Sequence, residues 1–305
     1  MRLARKSVLS TAVDYIARLG VGILGIRARS PGCGRFFLLS DDYIGRTILA
    51  EGAFEKGYLA SLEGLIRLAR AGDLMQAERS VALDIGANIG THTVFLARHF
   101  DKVHSFEPNP MLHHVLCANI GLNGLGDVTP HQVALSDRAE TLSYVQTEAG
   151  NLGCGRFERG IVDPDATRSF PLVRGDEVLL PLLQPGERVV LAKIDVEGLE
   201  DKVVAGLQAL LQRDQPLLVC EVTGREGGER LCEVLDRAGY PYRYEIHNPA
   251  RFNSLGLAAG VARALAMGIE YQLKPLADLE DRLYPMVVAA PLDLLACNPS
   301  RAIAA

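Results

Sequence analysis

Two groups of residues in this sequence have the types and the spacing for chemistry. The first is Asp84, Gly86, Asn88 and Gly90, set in the stretch VALDIGANIG from Val81 to Gly90. A short apolar run reads as a buried strand, and a parallel sheet presents ligands at the carboxyl ends of its strands. Gly86 and Gly90 lack a Cβ, so the backbone can turn tightly and come close to a ligand. The unpaired amides of a following helix, expected from about Thr91 to Phe100, then face that ligand. A second apolar strand, Val103 to Phe106, ends in Glu107. That separation of roughly 20 residues suits an acid that accepts hydrogen bonds from a ribose, so the group reads as a nucleotide-cofactor site. A dinucleotide fingerprint would be G-x-G-x-x-G. Here the pattern is D-x-G-x-N-x-G, with Asn88 where a middle glycine would sit, and this departure favours S-adenosylmethionine.

The second group is Lys193, Asp195 and Glu197, in VVLAKIDVEG from Val189 to Gly198. If the stretch is a strand, its period of two puts the three charges on one face. Charged side chains are seldom buried without partners, so this set is either an ion-pair network or a working site, and its place at the carboxyl end of a strand favours the second. Glu221 ends the next strand, Leu217 to Cys220, and joins the same sheet edge on the substrate side. His92 falls in the first turn of the cofactor-side helix. There the dipole disfavours its cation and leaves a neutral base, the plain alternative being a histidine on the helix surface. An alcohol acceptor needs a carboxylate or histidine to take its proton. Asp195 is the first catalytic candidate, with Glu197 and His92 behind it. In the glycine-rich segment 150–155, Asn151 either offers a donor and acceptors to a hydroxylated substrate or simply makes a turn. No histidine pair has zinc-ligand spacing. Asp195, Glu197 and Glu221 carry the oxygen ligands that magnesium takes, but the expected site holds no metal.

Four motifs in order, DIGANIGTHT (Asp84 to Thr93), FEPNP (Phe106 to Pro110), ALSD (Ala134 to Asp137) and KIDVEGLE (Lys193 to Glu200), resemble those of the FkbM family of S-adenosylmethionine-dependent methyltransferases. The resemblance covers about residues 40 to 248 and returns near Tyr284 to Leu292. It implies an α/β fold with a Rossmann-like, doubly wound, seven-stranded sheet. It also implies that Asp84 to Gly90 hold the methionine part of the cofactor, that Glu107 holds the ribose, and that Asp137 lies near adenine. Asp195 then sits beside the transferable methyl, Asp176 is structural, and the acceptor is a hydroxyl of a sugar in a surface glycan or glycosylated natural product.

These groups need a scaffold, and 305 residues of which 48% are hydrophobic provide one catalytic domain with additions. The expected organisation is an N-terminal helical extension over 1–79 and a methyltransferase domain over 80–305. The domain carries a helical insertion at about 249–283, before a final strand from Met286 to Ala290. Residues 1–30 read as an amphipathic helix whose apolar face packs on the catalytic domain or a second subunit, or else lies on a membrane surface. Gly256, Gly260, Ala264 and Gly268 form a small-residue stripe with the same choice of uses. A net charge of −5 and the lack of an aromatic-studded basic patch argue against a nucleic-acid partner. Six scattered cysteines read as reduced core thiols, so the cytoplasm is the expected compartment, with the inner membrane face as the alternative. Two other function classes remain on this reading. A non-catalytic cofactor-binding partner protein is disfavoured by Asp195 and Glu197, and a nicotinamide oxidoreductase by the missing glycine.

Overall fold

The computed structural model describes residues 34–40, 42–147, 151–153, 155–158, 167–247, 271–276 and 278–296. The amphipathic stretch 1–30 and the small-residue stripe within 255–269 lie outside them, as do Cys33, Cys154 and Cys297. Cys117, Cys220 and Cys232 are free thiols.

Two helices come first, α1 (Tyr43–Glu51) and α2 (Lys56–Ala71). α2 buries Tyr58, Leu62, Leu65, Ile66 and Ala69, an i, i+3, i+4 stripe that belongs to the core on one face of the main sheet. The alternation that follows is β1 (Arg79–Ile85), α3 (Thr91–Leu96), β2 (Lys102–Phe106), α4 (Pro110–Leu122) and β3 (Val128–His131). Asn109 caps α4 through its side chain, and Pro110 stands where a helical amide has no partner to lose. Next come β4 (Ala134–Ser136), β5 (Glu140–Gln146), β6 (Gly155–Glu158), β7 (Thr167–Arg174) and α5 (Gly175–Leu179). The second half supplies β8 (Glu187–Ile194), α6 (Glu200–Gly206), α7 (Gln208–Asp214), β9 (Leu217–Thr223), α8 (Gly224–Arg237), β10 (Tyr242–His247), β11 (Gln272–Pro275) and β12 (Leu283–Ala290).

The main sheet has eight strands in the order β11-β10-β12-β9-β8-β1-β2-β3. β3, β2, β1, β8 and β9 run parallel, and β12, β10 and β11 pair antiparallel beyond them. The strand order reverses between β1 and β8, the place where an open α/β sheet leaves a crevice at its carboxyl edge. The register there pairs Asp84 with Lys193 and Ile85 with Ile194. Val81 and Leu83 of β1 face one core, with Val203, Leu207 and Leu210 of α6 and α7, while Ala82 faces the core that holds α2. A strand buried on both faces is uniformly apolar, which is why Val81 to Ile85 carries a charge only at Asp84.

Four details differ from the sequence expectation. The eighth strand, β11, comes from the segment expected to be a helical insertion, and its register with β10 runs from Tyr244–Pro275 to His247–Gln272. Helix α3 stops at Leu96, short of Phe100. The apolar stripe Leu199, Val203, Leu207, Leu210 and Leu211 reads in the sequence as one helix, but the chain breaks at Leu207 into α6 and α7, and Asp176 caps the second piece by accepting from the Ala209 and Leu210 amides, both at 3.0 Å. Strand β8 ends at Ile194, because Asp195 is the last residue whose amide reaches β1, donating to the Ile85 carbonyl at 3.0 Å. Beside the main sheet, β4, β7, β5 and β6 form a smaller one. No helix among the described residues is long and apolar enough to cross a membrane.

Candidate active site

A cavity of about 550 Å³ opens at the carboxyl edge of β1 and β8. One end is built by the turn after β1. Gly86 and Ala87 both donate to the Phe106 carbonyl, at 3.0 and 2.9 Å, which locks this turn onto the end of β2. Gly86 has φ 80°, and a Cβ there would run into the Asp195 carbonyl, so only glycine fits. Asn88 also sits in the left-handed region, at φ 52°, and its amide donates to Glu107 Oε2 at 2.9 Å. Glu107 Oε1 accepts from the Asn109 amide at 2.8 Å. Burial pushes the Glu107 carboxyl up to about 7, against the pull of these two amides. Gly86, Asn88 and Glu107 line the cavity. Gly90 does not: it caps α3 at φ 90°, where a Cβ would press on Leu116.

Asp84 lies beneath the turn, fully buried. Thr93 Oγ1 donates to its Oδ2 at 2.6 Å, and Lys193 Nζ stands 3.5 Å from its Oδ1, which has no hydrogen bond. Lys193 joins the two ends. It donates to the Gly86 carbonyl at 2.9 Å and lies 3.2 Å from Asp195. Burial opposes its charge, but Asp195 and Asp84 outweigh burial and hold the ammonium more firmly protonated than a lysine in water.

The other end gathers Glu55, His92, Asp195, Glu197 and Glu221. Glu197 is not on the strand face the period of two assigned it. The chain has left β8, and Glu197 reaches the cavity from a left-handed backbone at φ 55°, followed by Gly198 at φ 98°. Burial, then the charges of Asp195 and Glu200, push Glu197 up to about 8. Burial and the neighbouring Asp195, Glu197 and Glu55 push Glu221 up to about 10. His92 is a wall residue, not a helix-surface one: it is 5% exposed, and burial followed by Lys193 pushes its imidazole down to about 4. Its neutrality comes from burial and a nearby cation. The short helix α3 is a lesser matter.

Sequence reasoning did not single out Glu55 or Thr93, and it noticed Lys193 only as one of three charges. Glu55 precedes α2 with φ 49°, and its Oε2 is 3.8 Å from His92 Nε2. Nothing in its local sequence signals this, since the contact spans 37 positions between Glu55 and His92. Among the described residues with positive φ that are not glycine, Glu55, Asn88 and Glu197 all line the cavity. Strained backbone of this kind collects at working sites.

The roof is the small sheet. Tyr144, Phe157 and Phe170 line the cavity as an aromatic group with centroids 5.3 to 6.4 Å apart. Asn151, Leu152 and Gly153 also line it. Asp42 clasps this strip to α1: its Oδ2 accepts from the Ile44 amide at 3.0 Å and its Oδ1 from the Leu152 amide at 2.9 Å. β4 contributes Ala134 and Leu135 to the lining, whereas Asp137 is outside it, with Ser136 Oγ donating to Asp137 at 3.1 Å and Arg138 at 3.9 Å.

These residues fit S-adenosylmethionine. The volume suits a ligand of that class, and a cleft rich in carboxylates matches a cationic sulfonium. The glycine turn leaves room for a close approach beside the Glu107 carboxylate. Among the described residues, no three His, Cys, Asp or Glu side chains are placed to hold a metal ion.

The Methyltransferase FkbM domain family matches residues 84–242. Methyltransferase sdnD of Sordaria araneosa is 31% identical over 153 residues, covering 41% of this chain and 59% of that protein. The AMB antimetabolite synthetase AmbE of Pseudomonas aeruginosa is 25% identical over 237 residues, covering 63% of this chain and 11% of that protein. The chain therefore spans less than two thirds of the length of either relative. Among solved structures, a methyltransferase FkbM from Methylobacillus flagellatus superposes with a TM-score of 0.41 at 14% identity, covering 91% of this chain and 60% of that one.

Proposed function

Since this chain belongs to the FkbM methyltransferase domain family, we propose that it transfers a methyl group from S-adenosylmethionine to a hydroxyl oxygen of a small-molecule or glycan acceptor, a sugar being the class the family suggests. The observation that carries this reading is one cavity that holds Glu107 at one end and the carboxylates beside Asp195 at the other. When bound, S-adenosylmethionine supplies a methyl already activated on sulfur, so the protein has only to orient and to handle a proton.

Glu107 holds the ribose hydroxyls, while Asn88 and Asn109 fix its carboxylate through their amides. Asp84 acts one step back. It anchors Lys193, which in turn sets the Gly86 carbonyl and the Asp195 carboxylate. Asp195 takes the acceptor's proton as the carbon–oxygen bond forms and the sulfur–carbon bond breaks, a contribution of roughly 10² to 10⁴ in rate for a positioned base. Glu197, His92, Glu221 and Asn151 complete the acceptor side. Leu135 and Ala134 border the adenine end, which leaves Asp137 a more distant role there.

The test is calorimetric titration with S-adenosylmethionine, S-adenosylhomocysteine and reduced nicotinamides, followed by transfer of labelled methyl to a panel of hydroxylated glycans. Binding of both sulfur ligands, weakened more than tenfold in Glu107→Ala, supports the reading. Binding of a nicotinamide alone overturns it. Cofactor binding with no transfer to any hydroxyl would leave a non-catalytic partner protein.

A further inference from the structure

A bound sulfonium answers one charge, and the acceptor end holds more acid than that. Lys193 directs its donors to the Gly86 carbonyl, Asp84 and Asp195. Among the described residues no cationic side chain stands within ion-pair distance of Glu197 or Glu221, although both line the cavity. Glu197 and Glu221 line the cavity together with Asp195, whose charge acts on both.

His92 is an independent sign of a missing partner. Its ring lines the same cavity and is 5% exposed, and its Nε2 makes no hydrogen bond. Burial pushes the imidazole down, and the Glu55 carboxylate 3.8 Å from it lies beyond hydrogen-bond reach. A buried ring nitrogen in that state calls for a polar atom from outside the chain. The rim beside it is apolar: Tyr43 and Phe54 meet edge to face at 6.1 Å, and Leu283 lines the same mouth.

Of the cations that could answer such a cluster, a metal ion is disfavoured by the lack of any metal-holding group among the described residues. An alkylammonium has three N–H donors and no acceptor, so it can serve two or three carboxylates at once, and aromatic faces tolerate it. We propose that the acceptor carries a protonated amine close to the hydroxyl that is methylated, seated between Glu197 and Glu221, with His92 Nε2 bonded to a neighbouring polar group of the same molecule. This rests on the methyl-transfer reading for the hydroxyl but not for the amine.

The test compares matched probes on the full chain, ethanolamine against ethylene glycol and D-glucosamine against D-glucose, by NMR titration. Each pair is measured without cofactor and with saturating S-adenosylhomocysteine, whose neutral thioether keeps a sulfonium out of the cluster. At least one amine should bind ten times more tightly than its hydroxyl counterpart, with the gap falling below threefold in Glu221→Gln and in Glu197→Gln. No amine outbinding its counterpart, or a gap unchanged in both variants, overturns the inference. An amine preference that stands while S-adenosylhomocysteine fails to bind would instead remove the methyl-transfer reading and keep the cation seat.

Discussion

The two ends of the cavity are built differently. At the glycine-turn end, Gly86, Asn88 and Glu107 come from neighbouring strands within 22 positions, and the acid there is answered by two backbone amides. At the carboxylate-rich end, Glu55, His92, Asp195, Glu197 and Glu221 come from four separate segments, and Glu197 and Glu221 gain no such answer within the described residues. One end is satisfied before any ligand arrives, and the other waits for one. Burial raises the acids at both ends, but two amides hold the Glu107 carboxylate in place, whereas Glu197 and Glu221 keep their binding capacity open.

The difference can be broken most severely at the residue that links the ends. Lys193→Met leaves Asp84 and Asp195 without their cation, and removal of one partner from a buried pair costs on the order of 3–5 kcal/mol. Urea denaturation should show a loss of that size, and a loss below about 1 kcal/mol would mean that the two acids are held by something else. Glu107→Ala strands the Asn88 and Asn109 amides, and an unanswered buried donor costs about 1–3 kcal/mol. The same variant should bind S-adenosylhomocysteine more than tenfold less tightly, which calorimetry measures directly.

A pH series sharpens the contrast at the acceptor end. In the folded protein Glu197 keeps its proton to about 8 and Glu221 to about 10, whereas in the unfolded chain both release it near 4.5. Above about pH 8, where the histidines are neutral in both states, the native state therefore binds more protons than the unfolded one. Stability present at low pH is then lost as pH rises through these folded values, by up to about 1.4 kcal/mol per pH unit for each unmatched proton. Thermal melts from pH 8 to 10 should fall, and Glu221→Gln should flatten the fall. An equal slope in the variant would contradict the assignment. The smallest effect is expected at Asp137→Asn, outside the cavity lining. A change in S-adenosylhomocysteine affinity above threefold would show that this carboxylate reaches the adenine after all.

Much of the first end was legible in the sequence because its parts are local. The spacing from Gly86 to Glu107 needs only one strand–helix–strand unit, and the glycine at 86 is forced by a backbone contact that any such turn makes. The second end was legible only in fragments. Asp195 and Lys193 could be read from the β8 motif, but Glu197 was assigned by a strand period that no longer holds after Ile194. The aromatic roof was missed because Tyr144, Phe157 and Phe170 sit on three short strands whose pairing depends on register. β11 was missed because four residues carry too little pattern to mark a strand.

By itself, then, the sequence determined the β-α-β order, the glycine turn, the acid that faces it and the family to which these belong, all properties of contiguous chain. The tertiary structure alone decided that α2 covers the same core as β1, that Glu55 meets His92, and that Lys193 divides its charge between Asp84 and Asp195. It also decided which acids stay charged. Proximity across the fold and exclusion of water set a buried group's protonation, and neither is written in the neighbours along the chain.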